Sequence, residues 1–132
     1  MEGKGLASTK AMDCKTAVAN IVGVMFMNRT IAHMAHLKTG SYAQHKALDE
    51  FYNEVIELAD ELAEAAQGEY GKLDLNFVSF SGSVDSPVSL ISDQLKSLQA
   101  FGKCIDDDYL ANIFQEIEKL YRQTLYKLKE LH

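Results

Sequence analysis

Six side chains in this 132-residue chain have the types and spacing of metal ligands: His33, His36, His45, Asp49, Asp60 and Glu64. His45 and Asp49 stand four residues apart, as do Asp60 and Glu64, while His33 and His36 stand three apart. On a helix both intervals place the two side chains on one face, so each pair can offer two ligand atoms to one ion. Eleven residues separate Asp49 from Asp60, close to three turns at about 3.6 residues per turn, which brings His45, Asp49, Asp60 and Glu64 near one stripe. Imidazole combined with carboxylate suits Fe(II), with Zn(II) and Mn(II) as alternative occupants. A plainer reading stands beside this one. Acidic residues in a Glu-rich helix are usually solvated, and a histidine in a helix's first turn is more often a surface group than a ligand.

A length argument sharpens the pattern. From His45 to Glu64 a helix extends about 28 Å, whereas metal–ligand bonds are about 2 Å, so one copy of the helix cannot close both pairs around one ion. Two copies packed antiparallel about a two-fold axis can. The position numbers of His45 and Glu64 add to the same total as those of Asp49 and Asp60. An axis between Glu54 and Val55 therefore sets His45 opposite Glu64 and Asp49 opposite Asp60, because isologous contacts are reciprocal. The same axis pairs Tyr52 with Glu57 and Asn53 with Ile56, a mixed set that neither demands nor forbids close approach. The expectation is two symmetric sites, each drawing on both chains of a homo-oligomer.

The rest of the chain must position these groups. Its length suits one domain with a single core, and a net charge of −6 argues against a general nucleic-acid surface. Cys14 and Cys104 form neither a CxxC nor a Cys-rich pattern, which implies no disulfide framework or zinc knuckle and makes a reduced, cytoplasmic setting the default. The longest apolar run, Ala17 to Met27, is broken by Asn20 and too short to span a membrane. It also lies too far into the chain to read as a signal peptide. The Asn28-Arg29-Thr30 sequon falls mid-helix and reads as chance.

Residues 1–10 read as a mobile tail, and residues 11–132 as one helical domain. Lys4 and Lys10 beside Glu2 are a weak basis for DNA contact. From about Met12 to Leu37, apolar residues including Val18, Ile21, Val22, Met25, Ile31, Met34 and Leu37 recur at helical intervals. The methionines there read as core filler rather than a soft-metal site. Gly40 suits a left-handed cap, and Ser41 caps a second helix running to about Gln67, punctuated by Gly68 and Gly71. Residues 72–85 alternate partly, but a lone strand has no partner, so a long crossover with some extended structure is expected. Ser86-Pro87 opens a third helix ending near Gly102, and Asp106 to Asp108 precede a fourth. Two long helices joined tightly, a long crossover, then two more describe the ferritin-like form of the all-α four-helix bundle. The version of that fold with its site inside one bundle needs a Glu-x-x-His on facing helices. No such motif occurs in helices three and four.

Across roughly residues 12 to 131 the chain resembles the Dps-like miniferritins of the ferritin-like superfamily. The resemblance is carried by AHMAHLKTGSYAQH, by HKALD from His45 to Asp49, by DELAE from Asp60 to Glu64, and by the pattern of the last helix. It implies a ferroxidase centre between two subunits. One chain would give a first histidine, His33 or His36, together with His45 and Asp49; the other would give Asp60 and Glu64. His33 keeps the family's twelve-residue interval to the second histidine, whereas His36 lies nearer the turn. The tryptophan that commonly follows the first histidine is replaced by Met34 or Leu37, and the chain has no tryptophan. The sequence is also similar to small ferritin-like proteins encoded by bacteriophages, which would place it in the host cytoplasm.

The resemblance implies oxidation of Fe(II) by peroxide or oxygen, storage of ferric mineral, and a hollow dodecamer. Tyr42 and Tyr52 near the site are electron carriers or packing groups with a hydrogen-bonded tip. Glu54 and Glu57 guide cations or simply solubilise. The rival from another class is a non-catalytic ferritin-like assembly or virion-associated protein, used for its dimer surface. DNA protection by binding is a second rival, disfavoured by the acidic balance.

Overall fold

Three polar caps and one proline set where the helices begin. The computed structural model describes residues 13–132. Among them the chain is all-α, with four helices: α1 (Cys14–Lys38), α2 (Tyr42–Tyr70), α3 (Pro87–Gly102) and α4 (Asp108–Glu130). Asp13 caps α1 by accepting from the Thr16 amide at 2.8 Å, and Ser41 caps α2 through the Gln44 amide at 3.2 Å. Asp107 caps α4 through the Leu110 amide at 3.0 Å. Each bond satisfies one of the amides that a helix N-terminus leaves without an intrahelical partner. The start of α3 is set instead by Pro87 in its first turn, where the missing N–H costs nothing.

The helix ends differ from expectation in two places. Gly40 takes no left-handed conformation, since the glycines with positive φ among the described residues are Gly71 and Gly82. Instead Thr39 turns extended, donates its hydroxyl to Gln44 Oε1 at 2.7 Å and accepts the Ser41 amide at 3.1 Å. A side chain closes this turn where glycine was expected to. Helix α2 continues through Gly68 to Tyr70 and stops at Gly71, whose φ of 87° needs a residue without Cβ.

The packing order follows from the apolar stripes. Helix α1 lies against α2 and α3, and α4 lies against α2 and α3, while α2 and α3 do not touch. Val18, Ile21, Val22 and Met25 of α1 meet Leu48, Phe51, Val55 and Leu62 of α2, Leu98 of α3, and Ile117 and Tyr121 of α4 in one core. The Phe51 and Tyr121 rings meet edge to face at 4.9 Å and 86°, a geometry their quadrupoles favour. Across the centre Asn28 Nδ2 donates to the Tyr121 hydroxyl at 2.7 Å, while Asn28 Oδ1 has no partner. Burial pushes the Tyr121 phenol far up, and the Asn28 bond only partly offsets this. Asn28 is 1% exposed, so the sequon is closed to modification.

The segment between α2 and α3 contains no strand. It begins beside the start of α1, where Lys15 and Asp74 line one cleft, and ends beside the end of α1, where Lys38 pairs with Asp85 at 3.1 Å. That pairing and the Ser83 hydroxyl hold the Asp85 carboxyl below its usual range. Midway the segment presses on Gly23: a Cβ there would lie 2.9 Å from Val78 Cγ2 and 3.1 Å from the Asn76 carbonyl oxygen. Gly23→Val is therefore expected to lift the segment from α1 at a cost of about 1–3 kcal/mol. Limited proteolysis within residues 72–85 checks this, and unchanged cleavage would show that the contact does not hold the segment.

The two cysteines, expected as separate thiols, are joined: Cys14 at the start of α1 and Cys104 just beyond α3 form a disulfide with a Cα–Cα distance of 5.5 Å. Their separation of 90 residues leaves no local signature, because only the antiparallel course of α1 and α3 brings them together. Met34 and Leu37, counted with the apolar stripe of α1, are instead 51% and 71% exposed. Among the described residues no helix is long and apolar enough to cross a membrane. The expected tail at residues 1–10, and Met12, lie outside the described residues.

Candidate functional site

The three-residue turn between α1 and α2 brings the end of one helix beside the start of the next, and with them three histidines. His36 and His45 stack with ring centroids 3.6 Å apart and an interplanar angle of 20°. Each ring reaches the other's backbone: His36 Nδ1 to the His45 carbonyl at 2.8 Å, and His45 Nδ1 to the His36 carbonyl at 2.9 Å. A carbonyl only accepts, so both Nδ1 atoms carry hydrogen and donate. In the neutral rings this leaves Nε2 as the basic nitrogen of each. A backbone carbonyl on the far nitrogen is the usual way a metal-binding histidine is oriented.

His33 lies one turn back on α1. Its ring stacks on Tyr52 at 4.2 Å and 15° and meets His36 edge-on at 5.8 Å. Tyr52 is nine-tenths buried, and the Asp49 carboxylate near its hydroxyl, helped by desolvation, holds the phenol above its ordinary range. Asn53 Nδ2 donates to Asp49 Oδ1 at 3.3 Å and to the Asp49 carbonyl at 2.9 Å, which orients Asp49. Arg29 lies 6.0 Å from the centre of the Tyr52 ring, within the outer range of a cation–π contact.

His33, His36, His45 and Asp49 thus share one end of the α1–α2 pair. Asp60 and Glu64 are exposed on α2, and Asp60 lies about 22 Å along the helix from His45. Among the described residues no group of three or more His, Cys, Asp or Glu side chains is arranged to hold a metal ion. Tyr42, 75% exposed, stacks loosely on His45 at 6.4 Å. Glu54 and Glu57 lie away from the histidines, in an acidic cleft between α2 and α4 with Glu61 and Glu116.

Sequence reasoning did not single out Arg29 as part of this cluster, nor the ordering role of Asn53. Helical spacing offers a signal for Asn53, four residues after Asp49. Arg29 offers none, because its place beside Tyr52 depends on the register of α1 against α2.

These features define a class: an all-α chain of four helices around one core, with a histidine cluster at the tight turn of its first hairpin. The chain belongs to a family of unknown function, DUF5856, whose profile matches residues 36–128. That span takes in His36, His45, Asp49, Asp60 and Glu64. Comparison with curated proteins and with solved structures finds no match.

Proposed function

We propose that this protein is an iron-binding, ferritin-like miniferritin that oxidises Fe(II) at sites shared between two copies of the chain. The observation that carries the proposal is the division of donors along α2. Imidazoles and the oriented Asp49 gather at one end, while Asp60 and Glu64 stand exposed at the other. An antiparallel partner supplies each cluster with what it lacks. The packing order supports the ferritin-like reading, because α2 and α3 sit on opposite sides of the core and the segment joining them runs the length of α1, as a long crossover requires.

In this reading His45 and either His33 or His36 bind Fe(II) through neutral nitrogen. Asp49 and the partner's Asp60 ligate iron or hold its water, and the partner's Glu64 is the strongest anionic donor. Few protein ligands leave positions for peroxide or oxygen, which takes up the electrons that Fe(II) loses. Zn(II) and Mn(II) fit the same donors. The oxidised iron is stored or detoxified, and the two-fold pairs build a larger homo-oligomer, a dodecamer on the miniferritin pattern. DNA binding is weak or absent, and the setting is cytoplasmic, the host's if the chain is phage-encoded.

The test is anaerobic Fe(II) titration of metal-stripped protein, followed by peroxide, repeated with the His45→Ala/Glu64→Ala double variant. Stoichiometric binding and rapid oxidation are expected in the wild type, with a loss of about 100-fold or more in the variant. A second reading draws on one observation: the His36–His45 stack is tied down by both backbones, as a purely structural pair would be. It describes a non-catalytic assembly or virion-associated scaffold, and predicts an intact oligomer that binds no iron.

A further inference from the structure

Two of the exposed aromatic side chains fall together. Phe26 is 41% exposed and Phe77 wholly exposed, and both border a groove of about 610 Å³ with Ile56, Met27, Val78 and Arg29. A soluble chain seldom leaves such a patch uncovered. Its place along the helices is informative. Arg29 lies beside Tyr52, and Phe26 shares the groove with Ile56, so in the antiparallel register of α1 on α2 the patch falls at the level of residues 55–56 of α2. That is the level of the two-fold axis between Glu54 and Val55, which was located from the ligand spacing alone.

We infer that the Phe26–Ile56–Phe77 patch is the apolar centre of a self-interface, and that the partner seated on it is a second copy of this chain, related by that two-fold axis. The inference rests on the shared-site reading for the position of the axis and adds the surface that holds the copies together. Charge is arranged to match. On one side of the axis the α1–α2 face carries Arg29, Lys46 and the histidines together with Asp49; on the other α2 carries Asp60 and Glu64. Antiparallel pairing lays each Glu64 against the other copy's His45 and brings Asp49 to Asp60 where a cation would sit between them, whereas parallel pairing would set Asp60 and Glu64 each against its own copy. Aromatic side chains at the centre of an interface carry a disproportionate share of its binding energy. Phe77 contributes no buried contact to the monomer, so its chemistry is free to serve a partner.

The experiment uses the full chain with its disulfide intact. Light scattering on a sizing column is expected to give a dimer or an even multiple for the wild type. Phe77→Asp, at a wholly exposed position, is expected to keep the helical circular dichroism and weaken self-association by more than about thirtyfold. Asn53→Cys, exposed and next to the axis, is expected to form an intermolecular cross-link with a short bismaleimide, while Ser97→Cys on α3 is not. A wild type that stays monomeric at high concentration would overturn the inference. So would undiminished association in Phe77→Asp, or equal cross-linking from both cysteine positions. Iron chemistry is read separately: a dimer lost in Phe77→Asp whose wild type is inert to Fe(II) leaves the interface standing and removes the ferroxidase, whereas a dimer that oxidises Fe(II) and is not weakened by Phe77→Asp removes this interface and leaves the shared site.

Discussion

Mixing a His45→Ala chain with a Glu64→Ala chain is expected to restore iron oxidation that neither chain shows alone. On the proposed shared-site reading, a dimer of either variant has both sites broken, since each site needs His45 from one copy and Glu64 from the other. In a mixed dimer one site takes both defects and the other takes neither. Random re-pairing makes half the dimers mixed, each with one of two sites intact, so about a quarter of the wild-type activity returns. The assay is peroxide-driven Fe(II) oxidation after the variants are co-refolded or co-expressed, with mass spectrometry to count mixed dimers. Mixed dimers that form yet stay as inactive as the parents would rule out sharing. The expectation follows from one distance: about 22 Å of helix between His45 and Asp60 is too far for one chain to bridge.

Breaking the Cys14–Cys104 bond is expected to be a large loss of stability for this chain. The bond joins positions 90 residues apart, and the entropy a crosslink withholds from the unfolded chain grows with the loop it closes. A cost of about 2–5 kcal/mol is expected on reduction or in the Cys14→Ser/Cys104→Ser variant, a fall in melting midpoint on the order of 10 °C. Circular dichroism melts with and without reductant measure it. The serine variant should melt at one temperature under both conditions, and the wild type should fall to meet it. A wild-type midpoint that does not move after thiol assay confirms reduction would mean that the bond constrains nothing folding does not already fix.

What could be read in the sequence follows the range of the interaction. The helices were legible because Ser41, Pro87 and the Asp106–Asp108 run act within a turn of themselves, and because the stripes of Leu48, Phe51, Val55 and Leu62, or of Leu110, Ile117 and Tyr121, repeat locally. The four-residue spacings of the candidate ligands were legible for the same reason. The disulfide was not, because its two ends meet only once α1 and α3 are packed. The clasp of His36 and His45 was hidden too, since it needs the turn closed by Thr39 rather than by Gly40. Met34 and Leu37 continue the apolar rhythm of α1 but lie beyond the neighbours that would cover them, which periodicity alone cannot reveal. Phe77 lies in the segment expected as a crossover, and that partial alternation says nothing of its standing wholly in solvent.

The paired carbonyl bonds of His36 and His45 carry a consequence for any ligand that meets them. A free imidazole exchanges its proton between two nitrogens and swings about its side-chain torsions, and a binding partner must stop both motions. Here the rings are halted by each other's main chain as the hairpin closes, with one tautomer chosen in advance. The entropy of orientation is thus surrendered during folding, and an arriving ligand finds nitrogen atoms already at rest.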